Sequence, residues 1–123
     1  MIIVLFEVTI KKDCMDQYLS LAGKLKESLV QAEGFIRAER FSSFVNERKL
    51  LSLSVWESED AVEKWRNQEE HRLNQRQGRD ALFESYVITI ASSVRIYTDK
   101  ERQEAPRDSN KVFDSSNYAK KQL

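Results

Sequence analysis

Histidine and cysteine are almost missing from this chain. Its 123 residues hold one His, His71, and one Cys, Cys14. A lone cysteine excludes an internal disulfide and any zinc or iron–sulfur cage built from cysteines. A lone histidine excludes a multi-histidine metal centre. Three glycines, Gly23, Gly34 and Gly78, cannot supply a dinucleotide fingerprint or a P-loop. An excess of one charge is also lacking, since 20 Lys and Arg meet 20 Asp and Glu. The balance holds locally: residues 1–98 carry 14 basic and 15 acidic side chains, and the remainder 6 and 5. Binding to a phosphate backbone needs a basic excess on one face, so nucleic acid is not an expected partner. The apolar run Ile2 to Phe6 is too short to span a bilayer. It has no basic stretch before it and no small-residue cleavage site after it, so it does not read as a signal peptide. The expectation is a cytoplasmic domain with no membrane partner.

What is present is a well-marked alternation of elements. Ile2 to Ile10 reads as a strand, with Ile2, Val4, Phe6, Val8 and Ile10 on one face and Ile3, Leu5, Glu7 and Thr9 on the other. Asp13 is a candidate N-cap for a helix whose stripe is Met15, Tyr18, Leu19, Ala22, Leu25, Leu29 and Ala32. Gly34 is placed at the position that ends this helix. Phe35 to Phe44 and Lys49 to Glu57 form a hairpin across the polar turn Asn46-Glu47-Arg48. On the second of these strands Leu51, Leu53 and Val55 point one way, and Leu50, Ser52, Ser54 and Trp56 the other. Ser58-Glu59-Asp60 caps a second helix with Ala61, Val62 and Trp65 on its buried side. The apolar pattern then loosens, which predicts a break near Asn67 to Gln68 and a second helical piece stopped by Gly78. Tyr86 to Tyr97 is the fourth strand.

The chain reads as a single domain over residues 1–98 followed by a polar extension over 99–123. The extension holds the single proline, Pro106, and its few apolar residues include Val112, Phe113 and Tyr118. It is either a solvated tail or an arm that lays these side chains on a partner subunit, ordered at least to Phe113. The order β-α-β-β-α-β is that of an α+β, ferredoxin-like domain: a four-stranded antiparallel sheet with both helices on one face. The other face is too apolar to be left in water. A homodimer in which two sheets meet is the expected solution.

Several stretches resemble the antibiotic biosynthesis monooxygenase family of dimeric α+β barrels. They are the opening strand Met1 to Val8, Glu33-Gly34-Phe35, and Ser54-Val55-Trp56-Glu57-Ser58. The segment Trp65-Arg66-Asn67-Gln68-Glu69-Glu70-His71-Arg72 is the most telling, followed by Gly78-Arg79, Leu82-Phe83 and Tyr86. Glu104 to Ser109 is similar to small bacterial members, so the resemblance runs over roughly residues 1–110. It implies the fold and the dimer. For activity it implies three versions: cofactor-independent oxidation of anthrone- or quinol-like polyphenols by O2, haem degradation, or no established substrate. Haem-degrading members have an Asn on the first strand, a Trp on the second helix and a His beyond it. This chain has no Asn before Asn46, and His71 lies closer to Trp65 than that pattern requires, so haem cleavage is disfavoured.

His71 is the candidate catalytic base, able to deprotonate a phenol so that the anion passes an electron to O2 without metal or flavin. The alternative is a structural imidazole bonded to a carboxylate. Trp56, Trp65, Ser54, Ser52, Glu7 and Tyr86 are the candidate substrate-binding residues. Trp65 fits core packing as well as a pocket wall. The face of Ser52, Ser54 and Trp56 is expected to line the space between sheet and partner, with Trp56 either stacking on a flat substrate or filling the interface. Glu7 is either a buried acid-base group or paired with Arg37, Arg40 or Arg95. Tyr86 offers a phenol or packs. Cys14 has no base beside it and reads as a bystander. The leading expectation is a homodimeric, cofactor-independent monooxygenase acting on a small aromatic or quinol-like molecule, with a pocket between sheet and helices. The alternative is a non-catalytic binding or interaction module on the same dimeric fold.

Overall fold

The computed structural model describes residues 1–75 and 81–111, and for residues 69–75 the backbone only. Six elements follow one another: β1 (Ile2–Ile10), α1 (Met15–Leu29), β2 (Phe35–Ser42), β3 (Lys49–Trp56), α2 (Glu59–Gln75) and β4 (Phe83–Ser92). The strands form one antiparallel sheet in the order β2-β3-β1-β4. This is the expected α+β, ferredoxin-like arrangement. Phe6, Val8 and Ile10 pack against Tyr18 and Ala22 of α1, and Ile2 and Val4 pack against Ala61, Val62 and Trp65 of α2. Both helices therefore cover the face that β1 shows through Ile2, Val4, Phe6, Val8 and Ile10.

Local chemistry sets the boundaries, and several differ from expectation. Asp13 does not cap α1. It takes the left-handed conformation, φ 68°, which a short polar side chain tolerates, and Cys14 occupies the N-cap position without a side-chain capping bond. The helix ends at Leu29, so Gly34 is a turn residue and not the helix stop. Gly34 has φ 79°, and its carbonyl accepts the Glu57 N–H at 2.8 Å. A Cβ there would sit 2.6 Å from the Ala61 Cβ, so glycine is required both for backbone conformation and for the approach of α2. Leu19, placed on the buried stripe by its spacing, is 41 % exposed, while Leu21 packs against the core instead.

The break expected near Asn67 does not occur. Residues 59–75 contain neither Pro nor Gly, so the backbone hydrogen-bond ladder continues although the apolar face does not. The Ser58 hydroxyl accepts the Ala61 N–H at 3.2 Å, as the cap sequence predicts. The fourth strand runs over Phe83–Ser92 rather than Tyr86 to Tyr97. The register with β1 closes at this end on the pair Ile2 and Ser92. A bulge between Phe35 and Arg37 shifts the pairing of β2 with β3. Phe35 consequently joins Trp56 on the helix-bearing face, whereas Glu39 and Phe41 lie on the other.

The chain divides into a unit of Met1–Ser92 and a second beginning at Ser93. The second unit, described over residues 93–111, is organised by polar contacts. Arg102 donates to the Asn110 Oδ1 at 3.0 Å, the Ser109 Oγ at 3.0 Å and the Thr98 carbonyl at 3.2 Å, and its guanidinium covers the Tyr97 ring at 5.0 Å. Pro106 precedes a helical turn over residues 107–111, where its missing N–H costs nothing. Val112, Phe113 and Tyr118, the apolar residues of the expected arm, lie outside the described residues. Among the described residues no helix is long and apolar enough to cross a membrane.

Candidate functional site

The buried core of the first unit is in two pieces. One groups Val8, Ile10, Tyr18, Ala22, Leu50, Leu82 and Phe83. The other groups Trp56, Ala61 and Val62, with Ile2, Val4, Leu29, Phe35 and Trp65 packed around them. The sheet register explains the division. Two cross-strand rows lie between the pieces on the helix-bearing face: Arg40, Ser52, Phe6, Ile88, then Ala38, Ser54, Val4, Ile90. The rows outside them end in large groups, Leu50 with Val8 on one side and Phe35 with Trp56 on the other. Ser52, Ser54 and Ala38 are short. Side chains from the helices above do not reach down far enough to replace the missing volume, and a cavity of about 240 Å³ remains.

Its walls come from three directions. Tyr18, Ala22, Leu25 and Leu29 of α1 face it from one side, and Val62, Trp65 and Arg66 of α2 from the other. Phe6 and Phe83 close one end, their rings edge-on at 5.7 Å, with Tyr18 against Phe83 at 5.6 Å. Trp56 closes the opposite end. It is almost fully buried, edge-on to Phe35 at 5.5 Å and tilted by 34° against Trp65 at 6.3 Å. The Trp56 Nε1–H donates to the Ser54 Oγ at 2.8 Å. That bond satisfies the buried indole and fixes the hydroxyl oxygen, so the Ser54 O–H proton points elsewhere and is available to a guest. Arg40 lies with its guanidinium 5.8 Å from the Tyr18 ring centre, at the β2 edge of the cavity floor.

The expected site residues separate into groups. Trp56, Trp65, Ser54 and Ser52 converge on the cavity. Their face meets the helices, which corrects the expectation that it lines the space between sheet and partner. Tyr86 shares that face and touches Phe6 edge-on at 5.8 Å, but it is half exposed and outside the cavity lining. Glu7 lies on the opposite, helix-free face, opposite Leu51 and Val87 in register. Its ion pair is with Lys49 at 3.7 Å, not with an arginine, because β3 places Lys49 two residues from Leu51 on that same face. Both partners are well exposed, so the pair adds little stability. His71 is on the helical backbone of α2, and its side chain lies outside the described residues. Sequence reasoning missed Arg40, Lys26 and Arg66 as cavity residues. Arg40 carried a usable signal, since it falls two residues from Ala38 on one strand face.

The model of the antibiotic biosynthesis monooxygenase family matches residues 1–77, well over half of the chain. The chain belongs to the antibiotic biosynthesis monooxygenase family. This family member is 35 % identical over 98 residues to a jasmonate monooxygenase of Pyricularia oryzae; the match covers 77 % of the chain and 46 % of the fungal enzyme. The chain thus spans about half the length of that curated relative. Among solved structures it is similar to an antibiotic biosynthesis monooxygenase with a TM-score of 0.67 at 17 % identity, covering 77 % of the chain and all of that protein. It is also similar to a mutant of SnoaB, a cofactor-independent oxygenase from Streptomyces nogalater, with a TM-score of 0.64 at 14 % identity. That match covers 77 % of the chain and 94 % of SnoaB. At these identities the solved structures bear on the fold alone.

Proposed function

We propose that this family member is a monooxygenase that oxidises a small aromatic or quinol-like compound with O2, in the cavity between the sheet and the two helices. The observation that carries the reading is the cavity itself. It is largely apolar, ends on the paired indoles of Trp56 and Trp65, and holds the hydroxyls of Ser52 and Ser54 on its floor. A flat ring fits such a space, and the serine hydroxyls can orient a phenolic or carbonyl oxygen. Apolar walls exclude water from a carbanion or phenolate, which otherwise loses its electron density to solvation.

The chemistry needs one proton acceptor. His71 is proposed for that role on the family resemblance, as the base that takes a proton from the phenol or from an activated CH2. The anion passes one electron to O2, the radical pair combines at carbon, and the hydroperoxide loses water to leave a carbonyl. One oxygen atom enters the substrate, the other leaves as water, and the CH2 supplies both hydrogens. No cofactor is required by this balance. The sheet face opposite α1 and α2, with the partly exposed Ile3, Leu5, Leu51 and Leu53 along its middle, is proposed to pack on a second copy, so that the working unit is a homodimer.

Oxygen uptake tests the reading. Anthrones, quinols and jasmonate, the compound for which the Pyricularia relative is named, form the panel. Uptake with at least one substrate, reduced by about 10²-fold or more in His71→Ala, is the expected result. Uptake indistinguishable from buffer across the panel refutes the enzyme reading, and unchanged uptake in the variant removes His71 from the mechanism.

A further inference from the structure

Among the described residues, the cavity is lined by three cationic side chains and by one acidic residue. Lys26 comes from α1, Arg40 from β2 and Arg66 from α2. The acidic residue, Glu39, pairs in register with Leu53 and so belongs to the opposite sheet face. Arg66 also borders a small neighbouring pocket with Glu59 and Glu63, which leaves Lys26 and Arg40 as the cavity cations without a described carboxylate on the cavity's own face. The ion pairs among the described residues are Arg48 with Glu84, Lys49 with Glu7 and Lys64 with Glu33, and none involves Lys26, Arg40 or Arg66. Lys26 and Arg40 thus place positive charge at the exposed rim of an apolar cavity.

Arg40 is the best placed of the three. It is the direct cross-strand partner of Ser52, which puts the two Cβ atoms about 5 Å apart on the cavity floor. Its guanidinium lies towards the Tyr18 ring, a position that holds the planar fork at the cavity edge. A guanidinium beside a hydroxyl, next to a slot lined by Phe6, Val4, Leu25 and Trp65, matches a flat apolar body ending in an anion.

We propose that the substrate of this cavity is an aromatic carboxylate, its ring between Trp65 and Phe6 and its carboxylate on Arg40 and Ser52. This rests on the cavity being the substrate site, and it adds the charge that the substrate carries. Arg40 and Ser52 set specificity and take no part in proton or electron transfer.

Calorimetric titration of the full chain with naphthalene-2-carboxylate and with naphthalene-2-carboxamide tests it, since the two probes share shape and differ in charge. The carboxylate is expected to bind about tenfold more tightly, as a charge-assisted hydrogen bond at a partly open site provides. That preference is expected to vanish in Arg40→Gln, to weaken with added salt, and to persist in Lys64→Ala, which removes an equal charge from an exposed pair outside the cavity. Equal affinity of the two probes for the unaltered protein overturns the proposal while leaving the cavity as a ring-binding site. A preference that survives Arg40→Gln overturns the assignment to Arg40. Binding of neither probe overturns both this inference and the placement of the substrate site.

Discussion

Removing the Ser54 hydroxyl isolates one bond that joins the core to the cavity. The Trp56 side chain is almost wholly buried, with a relative exposure of 1 %, and its indole N–H donates to the Ser54 Oγ at 2.8 Å. Ser54→Ala leaves that donor without its partner inside the protein. An orphaned buried donor costs about 1–3 kcal/mol. Because Ser54 lines the cavity, a water molecule entering there can recover part of the loss, so about 1–2 kcal/mol is expected. For a unit of this size that corresponds to a fall in Tm of about 4–16 °C. The cleanest assay is a double-mutant cycle with Trp56→Phe, measured by urea unfolding at one fixed protein concentration, since association would otherwise enter the apparent stability. In the Trp56→Phe background no N–H remains to be stranded, so Ser54→Ala should cost less than about 0.5 kcal/mol and the coupling should exceed about 0.5 kcal/mol. Equal costs in both backgrounds would show that the hydroxyl does nothing for the indole, and the account of how Trp56 is held would be wrong.

Two further substitutions probe the frame around the site. Gly34→Ala adds a Cβ at φ 79° and 2.6 Å from the Ala61 Cβ, so a loss of about 2–4 kcal/mol is expected by thermal unfolding, from left-handed strain plus displacement of α2; a loss below about 1 kcal/mol would contradict the close approach. Leu5→Lys places a charge at the middle of the helix-free face, opposite Leu53 in register. Sedimentation should report a dimer for the unaltered chain and a monomer for this variant, with the far-UV spectrum kept; a variant that still sediments as a dimer would show that this face is not the interface.

Much of the frame is legible without coordinates, for reasons specific to each segment. The run from Ile2 to Ile10 assigns a strand, but both of its faces are largely apolar, so the face that the helices cover is not legible in it. The α1 spacing Tyr18, Ala22, Leu25, Leu29 follows one helical stripe, and these side chains do face inward. The continuity of α2 past Asn67 is not legible, because a weak apolar pattern reports on burial and not on whether the backbone continues its hydrogen bonds. The end of the last strand is not legible either. Its apolar residues run past Ser92, while its register with β1 closes on the pair Ile2 and Ser92.

The site divides along the same line. The serines and tryptophans stand out in the sequence as polar and aromatic groups on one strand face and one helix, and residue type alone draws attention to them. Lys26 and Arg66 do not stand out, because charged residues on amphipathic elements are ordinarily solvated. Composition and periodicity settle most element types, the charge balance and the exclusion of cysteine- and histidine-based centres, since these depend on residues counted or spaced along one dimension. Sheet register decides which residues share a row. The bulge after Phe35 moves that ring to the helix side, Lys49 rather than an arginine meets Glu7, and the short side chains of Ala38, Ser52 and Ser54 fall side by side to open the cavity. These outcomes depend on distances between strands far apart in the chain, which only the packed sheet brings together.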